Sequence, residues 1–386
     1  MKAGTDFAAE AAWLRDALTG RAAPGWPARE PRLERVAAHN RLLPWLDLQG
    51  WTPPGSPAAQ RSTRRADGLR AERLLRAGTA LAADLGAAGI PCLALRGPFL
   101  AATLYHDPAA RPAQDIDLLV PRAQARPALA VAEARGYRLT GDAPSPSFAL
   151  RHHLHWQLHQ PREGVLCDLH WAVDHPYRLH RVDYPALFAA ARSARHAEVT
   201  WSEPSREHGL LLDLLHLHKH LGPCLTTPAE WPRLCARGEG LHLLDVARRL
   251  TVDPPDLAAV VGLARDWRVE AETLPPLALA ARVFELPLPT DLLDSAVRLA
   301  ASPMHPPRVP DWWRRWAAQR GFRPEKWSDA AAYLWPPPRK LGRCPRAHRF
   351  LRAPWAALRL ACAGADFALA HWRLHRPHSA AAPHPS

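Results

Sequence analysis

No CxxC pair occurs in this chain of 386 residues, and its six cysteines stand singly at Cys92, Cys167, Cys224, Cys235, Cys344 and Cys362. Such scatter argues against ribbon- or finger-type zinc sites and leaves reduced thiols as the simplest reading. The opening residues do not read as a secretory leader. Met1 to Glu10 carries Lys2, Asp6 and Glu10 without an apolar stretch, so the expected location is cytoplasmic. No segment reaches the roughly 20 apolar residues that a membrane span needs. The best candidate, Trp355 to Ala370, is interrupted by Arg359 and Asp366. No internal repeat is found. What the chain does have is a hydrophobic fraction of 47%, normal for a globular protein and enough for a sizeable core.

The formal charge is +13 and the isoelectric point about 10.2. A basic balance suits a polyanionic partner. The chain is also rich in Ala, Arg and Pro together, the mark of GC-rich codons, and Arg then replaces Lys without functional demand. Composition alone does not separate the two readings.

The length suggests two or three domains. Residues 1–75 read as an N-terminal helical region. Trp13, Leu14 and Leu18, then Leu33, Val36, Leu42 and Leu43, recur near helical spacing. A long helix is expected over Leu69 to Ala88, ended by Gly89. The texture then changes. Pro91 to Leu95 is a short apolar strand, Gly97 to Leu104 a helix, Asp115 to Val120 a second strand, Ala123 to Arg135 a helix and Tyr137 to Thr140 a third strand. Leu154 to His159 and Val165 to Val173 flank a turn and read as a hairpin. This alternation marks a small α/β or α+β core over about 76–203. Leucine stripes at 210–221 and 241–250 begin a helical region over 204–335, expected to form a second domain facing the core. Residues 336–386 are basic and Pro-rich, with an end expected to be disordered.

The chemistry concentrates in Ala94 to Val120 (ALRGPFLAATLYHDPAARPAQDIDLLV). Asp115 and Asp117 are two apart on an apolar strand, so both point to one face while Ile116, Leu118 and Val120 point to the other. Carboxylates held side by side repel unless a cation lies between them. Oxygen-only donors suit Mg²⁺, which draws further ligands from phosphates and water. Asp168, in the apolar run VLCDLHWAV, is a third isolated strand carboxylate and shares a face with Leu166 and His170. A metal shared with Asp115 and Asp117 would satisfy it. The Arg96-Gly97-Pro98 turn joins strand to helix. Glycine there permits close backbone approach to a phosphate, and a helix start favours anions.

These residues resemble the uncharacterised nucleotidyltransferase family of bacteria, within the DNA polymerase β-like superfamily. The resemblance is carried by Arg96-Gly97, Tyr105, Arg111 and Asp115-Ile116-Asp117, by Asp168-Leu169-His170-Trp171, and by Ala38, His39, Pro44, Trp45 and Leu46. His216, Lys219, His220 and Asp245 extend it, so that it covers about residues 10–250. It implies an α+β fold: a small mixed-sheet catalytic core flanked by helical regions. It further implies transfer of a nucleoside monophosphate from a nucleoside triphosphate, ATP among the candidates, to an acceptor hydroxyl or phosphate. Asp115, Asp117 and Asp168 would hold two Mg²⁺ ions, with Mn²⁺ as the alternative. Arg96, Gly97 and Arg111 would bind nucleotide, and His170 would stand behind the metal ligands. Natural-product or surface-polysaccharide synthesis is the implied setting. The acceptor is open among small molecule, peptide, protein and RNA. Arg96 stands where the family more often has Lys, and Gly97-Pro98 where the superfamily usually has Gly-Ser. The latter change removes a hydroxyl and an N–H. A non-catalytic nucleotide- or partner-binding protein that keeps the fold is the alternative.

Other groupings have blander readings. His153, His155 and His159 alternate onto one strand face beside His152 and could hold zinc, but a polar hairpin face accounts for them. His216 and His220 are one helical turn apart, yet the sequence offers no third ligand, so packing and capping are expected. Asp245, in an amphipathic helix, reads as structural or as a polar residue of the substrate-side domain, not as catalytic. Trp312, Trp313 and Trp316 among Arg314 and Arg315 could stack on bases, but an amphipathic helix with snorkelling arginines explains them as well. Arg352, Arg359, Arg373 and Arg376 read as a solvated tail.

Overall fold

A computed structural model of the chain describes residues 8–21, 31–51, 57–140, 146–174, 180–221 and 228–301. The Trp312–Trp316 group and the C-terminal arginines lie outside these residues. The chain divides into two compact units, the larger comprising 1–138, 157–170 and 181–304, the smaller 139–156, 171–180 and 305–386.

In the larger unit the chain opens with helices α1 (Ala8–Leu18), α2 (Pro31–His39), α3 (Leu43–Leu48) and α4 (Pro57–Ala87). Leu14, Leu33, Val36, Leu42, Leu74, Leu75, Leu81 and Leu85 are all buried, as their helical spacing requires. Helix α4 starts well before the expected Leu69 and spans about 46 Å at the α-helical rise. Gly78 sits inside it for a packing reason. A Cβ there would lie 2.7 Å from the Phe99 ring and 3.0 Å from Ile116 Cγ2. The helix thus presses directly on the Ile116 face of the sheet, and Ile116 and Leu118 are fully buried.

The sheet elements follow as β1 (Leu93–Ala94), α5 (Pro98–Leu104), β2 (Asp115–Leu119), α6 (Ala125–Ala134), β3 (Arg138–Thr140), α7 (Pro146–His152), β4 (His155–Gln160) and β5 (Val165–His170). The strands form a five-stranded mixed sheet in the order β1-β2-β5-β4-β3. β1 pairs antiparallel with β2, and β2 pairs parallel with β5. A second, two-stranded sheet joins β6 (Arg192–His196) to β7 (Val199–Glu203), after α8 (Tyr184–Ala189).

The remaining elements are helices α9 (Arg206–Leu221), α10 (Trp231–Arg237), α11 (Gly240–Val252), α12 (Leu257–Asp266), α13 (Glu270–Val283) and α14 (Thr290–Ala301). Helix α9 buries Leu210, Leu211, Leu212, Leu214, Leu215 and Leu217 on every side, so it is the central helix of this region. Its Asp213 accepts from Arg249 of α11 at 2.6 Å, a buried ion pair that joins the two helices. Asn40 is fully buried and ties the N-terminal helices to this region. Its Nδ2 donates to the Val36 and Cys235 carbonyls at 2.8 and 2.9 Å, and its Oδ1 accepts from the Gly240 amide at 2.8 Å.

In the smaller unit the described residues centre on Trp156 and Trp171, whose ring centroids lie 4.6 Å apart in an edge arrangement. The Trp156 indole donates to the Pro146 carbonyl at 3.3 Å, and the Trp171 amide to the Leu154 carbonyl at 3.0 Å. Among the described residues no helix is long and apolar enough to cross a membrane.

Candidate active site

Strand β2 carries Asp115 and Asp117 on the sheet face opposite Ile116 and Leu118, and both carboxylates are partly buried. In the parallel pairing with β5, Asp117 stands opposite Asp168, and Leu119 opposite His170. Residues opposite one another in register share a sheet face. Asp115, Asp117, Asp168 and His170 therefore occupy one side of two adjacent strands.

The electrostatics follow from that crowding. Burial, then the neighbouring charges of Asp117 and Asp168, push the Asp115 carboxyl up to about 6. Burial and Asp117 push Asp168 up to about 7, against the cations Lys219 and Arg96. His170 Nε2 lies 2.9 Å from Asp117 Oδ1. Burial lowers the imidazole below its ordinary range despite that carboxylate, so the neutral ring donates its Nε2–H to Asp117. Arg96 Nε is 3.7 Å from Asp117 Oδ2. The donor set is oxygen-only, partly desolvated and mutually repulsive, which fits a hard divalent cation.

The loop from β1 to α5 reaches this site through Gly97. Its backbone has φ +67° and ψ −129°, and a Cβ would fall 2.7 Å from the Asp115 carbonyl oxygen. Only glycine fits so close to the carboxylate strand. Helix α5 is seven residues long, with Pro98 at its start.

Arg111 is taken up inside the protein. It is buried, its Nε and one terminal nitrogen donate to the two oxygens of Asp245 at 2.7 Å each, and its other terminal nitrogen reaches the Gly97 carbonyl at 3.4 Å. Tyr105 donates its hydroxyl to Asp245 at 2.8 Å. Arg111 and the burial-opposed hydrogen bonds around it hold Asp245 well below the usual carboxylate range. Arg111 thus braces the Gly97 turn from behind. Sequence reasoning left Asp245 as structural or a substrate-side polar residue and missed that it anchors this turn through Arg111. Lys219, from the last turn of α9, acts on Asp168; the sequence offered it only as part of the family resemblance and not as a site residue.

Residues 30–285 match the model of a family described as uncharacterised nucleotidyltransferase. The chain belongs to this family. The match takes in the carboxylate strand, the Gly97 turn, Asp168 and the helices through α13, so it covers both the sheet and the helical region that follows it in sequence. Among solved structures, an antigenic nucleotidyltransferase-like protein from Paracoccidioides brasiliensis is similar at 16% identity and a TM-score of 0.32, over 55% of this chain and 97% of that one. Similarity at that level adds nothing to the family assignment, which rests on the sequence match. No curated protein matches the chain.

Proposed function

We propose that this nucleotidyltransferase-family chain transfers a nucleoside monophosphate from a nucleoside triphosphate to an acceptor hydroxyl or phosphate. The observation that carries the reading is the set Asp115, Asp117 and Asp168, packed on one sheet face with two carboxyls raised by burial and by one another. All three would hold Mg²⁺, or Mn²⁺ in its place. Bound ions of this kind neutralise phosphate charge and activate an acceptor oxygen.

The protein's own groups divide the remaining work. His170 orients Asp117 through its Nε2–H, the arrangement by which outer partners fix ligand carboxylates. Arg96 presents a guanidinium beside Asp117 and is the cation placed to meet the phosphates. Gly97 lets the backbone come close to a bound triphosphate. Arg111 acts through Gly97, holding its carbonyl while Asp245 holds the guanidinium, so it is a positioning residue for nucleotide binding. Family resemblance points to natural-product or surface-polysaccharide synthesis as the setting.

The test is incubation of the protein with labelled nucleoside triphosphates, Mg²⁺ or Mn²⁺, and a lysate that contains candidate acceptors. Label transferred by wild type and not by Asp117→Asn supports the reading. One observation favours a second reading, a nucleotide-binding protein without turnover: Pro98 lacks the N–H that the turn would otherwise offer a phosphate. Metal-dependent nucleotide binding with no transfer to any acceptor would decide for it.

A further inference from the structure

Helices α9 and α11 bring together three imidazoles that lie apart in the sequence. His216 and His220 are one turn apart on α9, with ring centroids 4.6 Å from each other. His242, from the first turn of α11, has its ring 4.9 Å from His216 and 4.8 Å from His220. One nitrogen of each ring lies within 4.8 Å of the other two. A carboxylate borders two of these rings. Glu239, at the N-cap of α11, places Oε1 3.4 Å from His220 Nδ1 and Oε2 3.7 Å from His242 Nε2.

The surroundings of His242 are those of a ligand. Arg41 donates to His242 Nε2 at 3.0 Å, and a guanidinium has no lone pair to accept with, so that nitrogen carries one. The ring proton is then on Nδ1, which faces Asp245 Oδ2 at 3.8 Å. A carboxylate behind the far nitrogen is how metal-bound histidines are usually oriented.

We propose that His216, His220, His242 and Glu239 form a second metal site, a four-ligand structural centre for a zinc-class divalent ion that pins α9 to α11. Three imidazoles with one carboxylate suit late first-row ions and disfavour Mg²⁺, whose ligands are oxygens. Four protein ligands close a tetrahedral site and leave no position for substrate. The exposed edge of His220 supplies the entry path. The ion takes the place of the Arg41 guanidinium on His242 Nε2. Its position matters for the carboxylates, because α9 also carries Lys219 and α11 carries Asp245. The site stands independently of the nucleotidyl-transfer reading.

The experiment uses the full chain, stripped with a chelator and titrated with Co²⁺ while the visible d–d absorption is followed. One equivalent should give an intense tetrahedral band that Zn²⁺ bleaches, and Zn²⁺ should raise the melting temperature. Loss of an outer partner alone weakens metal binding roughly 10- to 100-fold, so His220→Gln, at a partly exposed position, should weaken Co²⁺ binding by about 100-fold or more. Asp117→Asn should leave the band intact. Absence of a tetrahedral band, or a band that survives His220→Gln, overturns the proposal. A band abolished by Asp117→Asn and kept in His220→Gln places the ion at the carboxylates and overturns it equally.

Discussion

At the residue scale, the partial burial of three carboxylates on one sheet face has a cost that a cation removes. Asp115 and Asp168 are raised to about 6 and about 7, so the folded protein keeps protons there that the unfolded chain has released. Linkage then makes their contribution to stability fall as pH rises from about 4 towards about 7. After burial, Asp117 is the largest cause in both cases, with Arg96 and, for Asp168, Lys219 acting the other way. Asp117→Asn removes that charge and keeps the shape. Its melting temperature relative to wild type, both without metal, should therefore increase between pH 5 and pH 8, as thermal melts across that range would show. Transfer should drop by about 10³-fold or more, the scale of losing one preorganised electrostatic group. A variant that melts normally and transfers at the wild-type rate would refute the carboxylate assignment. Gly97→Ala probes the same site from the backbone side. Its positive φ and the 2.7 Å approach to the Asp115 carbonyl leave no room for a methyl group. Backbone strain alone should destabilise the protein by about 1–3 kcal/mol. Because the displaced atom belongs to the carboxylate strand, transfer should fall even at temperatures where the variant stays folded.

At the scale of elements, the Arg111–Asp245 pair ties the loop before β2 to α11. Both side chains are only 5% exposed, so removal of one leaves an uncompensated charge in the interior. Arg111→Met should cost about 3–5 kcal/mol in denaturant melts, and adding Asp245→Leu should recover much of it. Transfer should stay low in the double variant, because the Gly97 carbonyl has lost its donor; full activity there would remove the positioning role. This tie also shows where the sequence stops being readable. The periodicity of two around Ile116 and the apolar run VLCDLH indicate strands β2 and β5 and the facing of their carboxylates, because alternation is local. The β6–β7 hairpin leaves no such mark. Its turn, His196 to Glu198, has no glycine, proline or asparagine, and Ala197 itself takes a φ of +48°. Helix α4 runs back to Pro57 through Gln60, Arg61, Ser62 and Thr63, which show no apolar stripe. The spacing of His216 and His220 is visible as one helical turn, but His242 and Glu239 join them through helix packing, which no local pattern encodes. Arg111 likewise reads as an available cation until its partner 134 residues away is seen.

At the scale of the whole molecule, ligand binding should be visible as stability. A ligand that binds only the folded state stabilises it by mass action, about 2.7 kcal/mol at a hundredfold excess over its dissociation constant. The carboxylate face repels a triphosphate in the absence of cations, while Arg96 and Lys219 offer limited compensation beside it. Mg²⁺ and nucleoside triphosphate together should therefore raise the melting temperature by more than the sum of their separate effects. In Asp117→Asn that excess should vanish, while a Zn²⁺-dependent rise that rests on His216, His220, His242 and Glu239 should persist. The formal charge of +13 bears on the same measurement. Non-specific attraction of a polyanion to a basic protein weakens steeply with salt, as counterion release requires. A nucleotide held at a partly buried site is screened far less. The synergy between Mg²⁺ and triphosphate should thus survive an increase from about 50 to 200 mM salt, the range over which a contact made only through surface arginines loses orders of magnitude in affinity. A stabilisation that needs no Mg²⁺, disappears over that range and is equal in Asp117→Asn would mean that the triphosphate binds to the basic surface and not at the carboxylates.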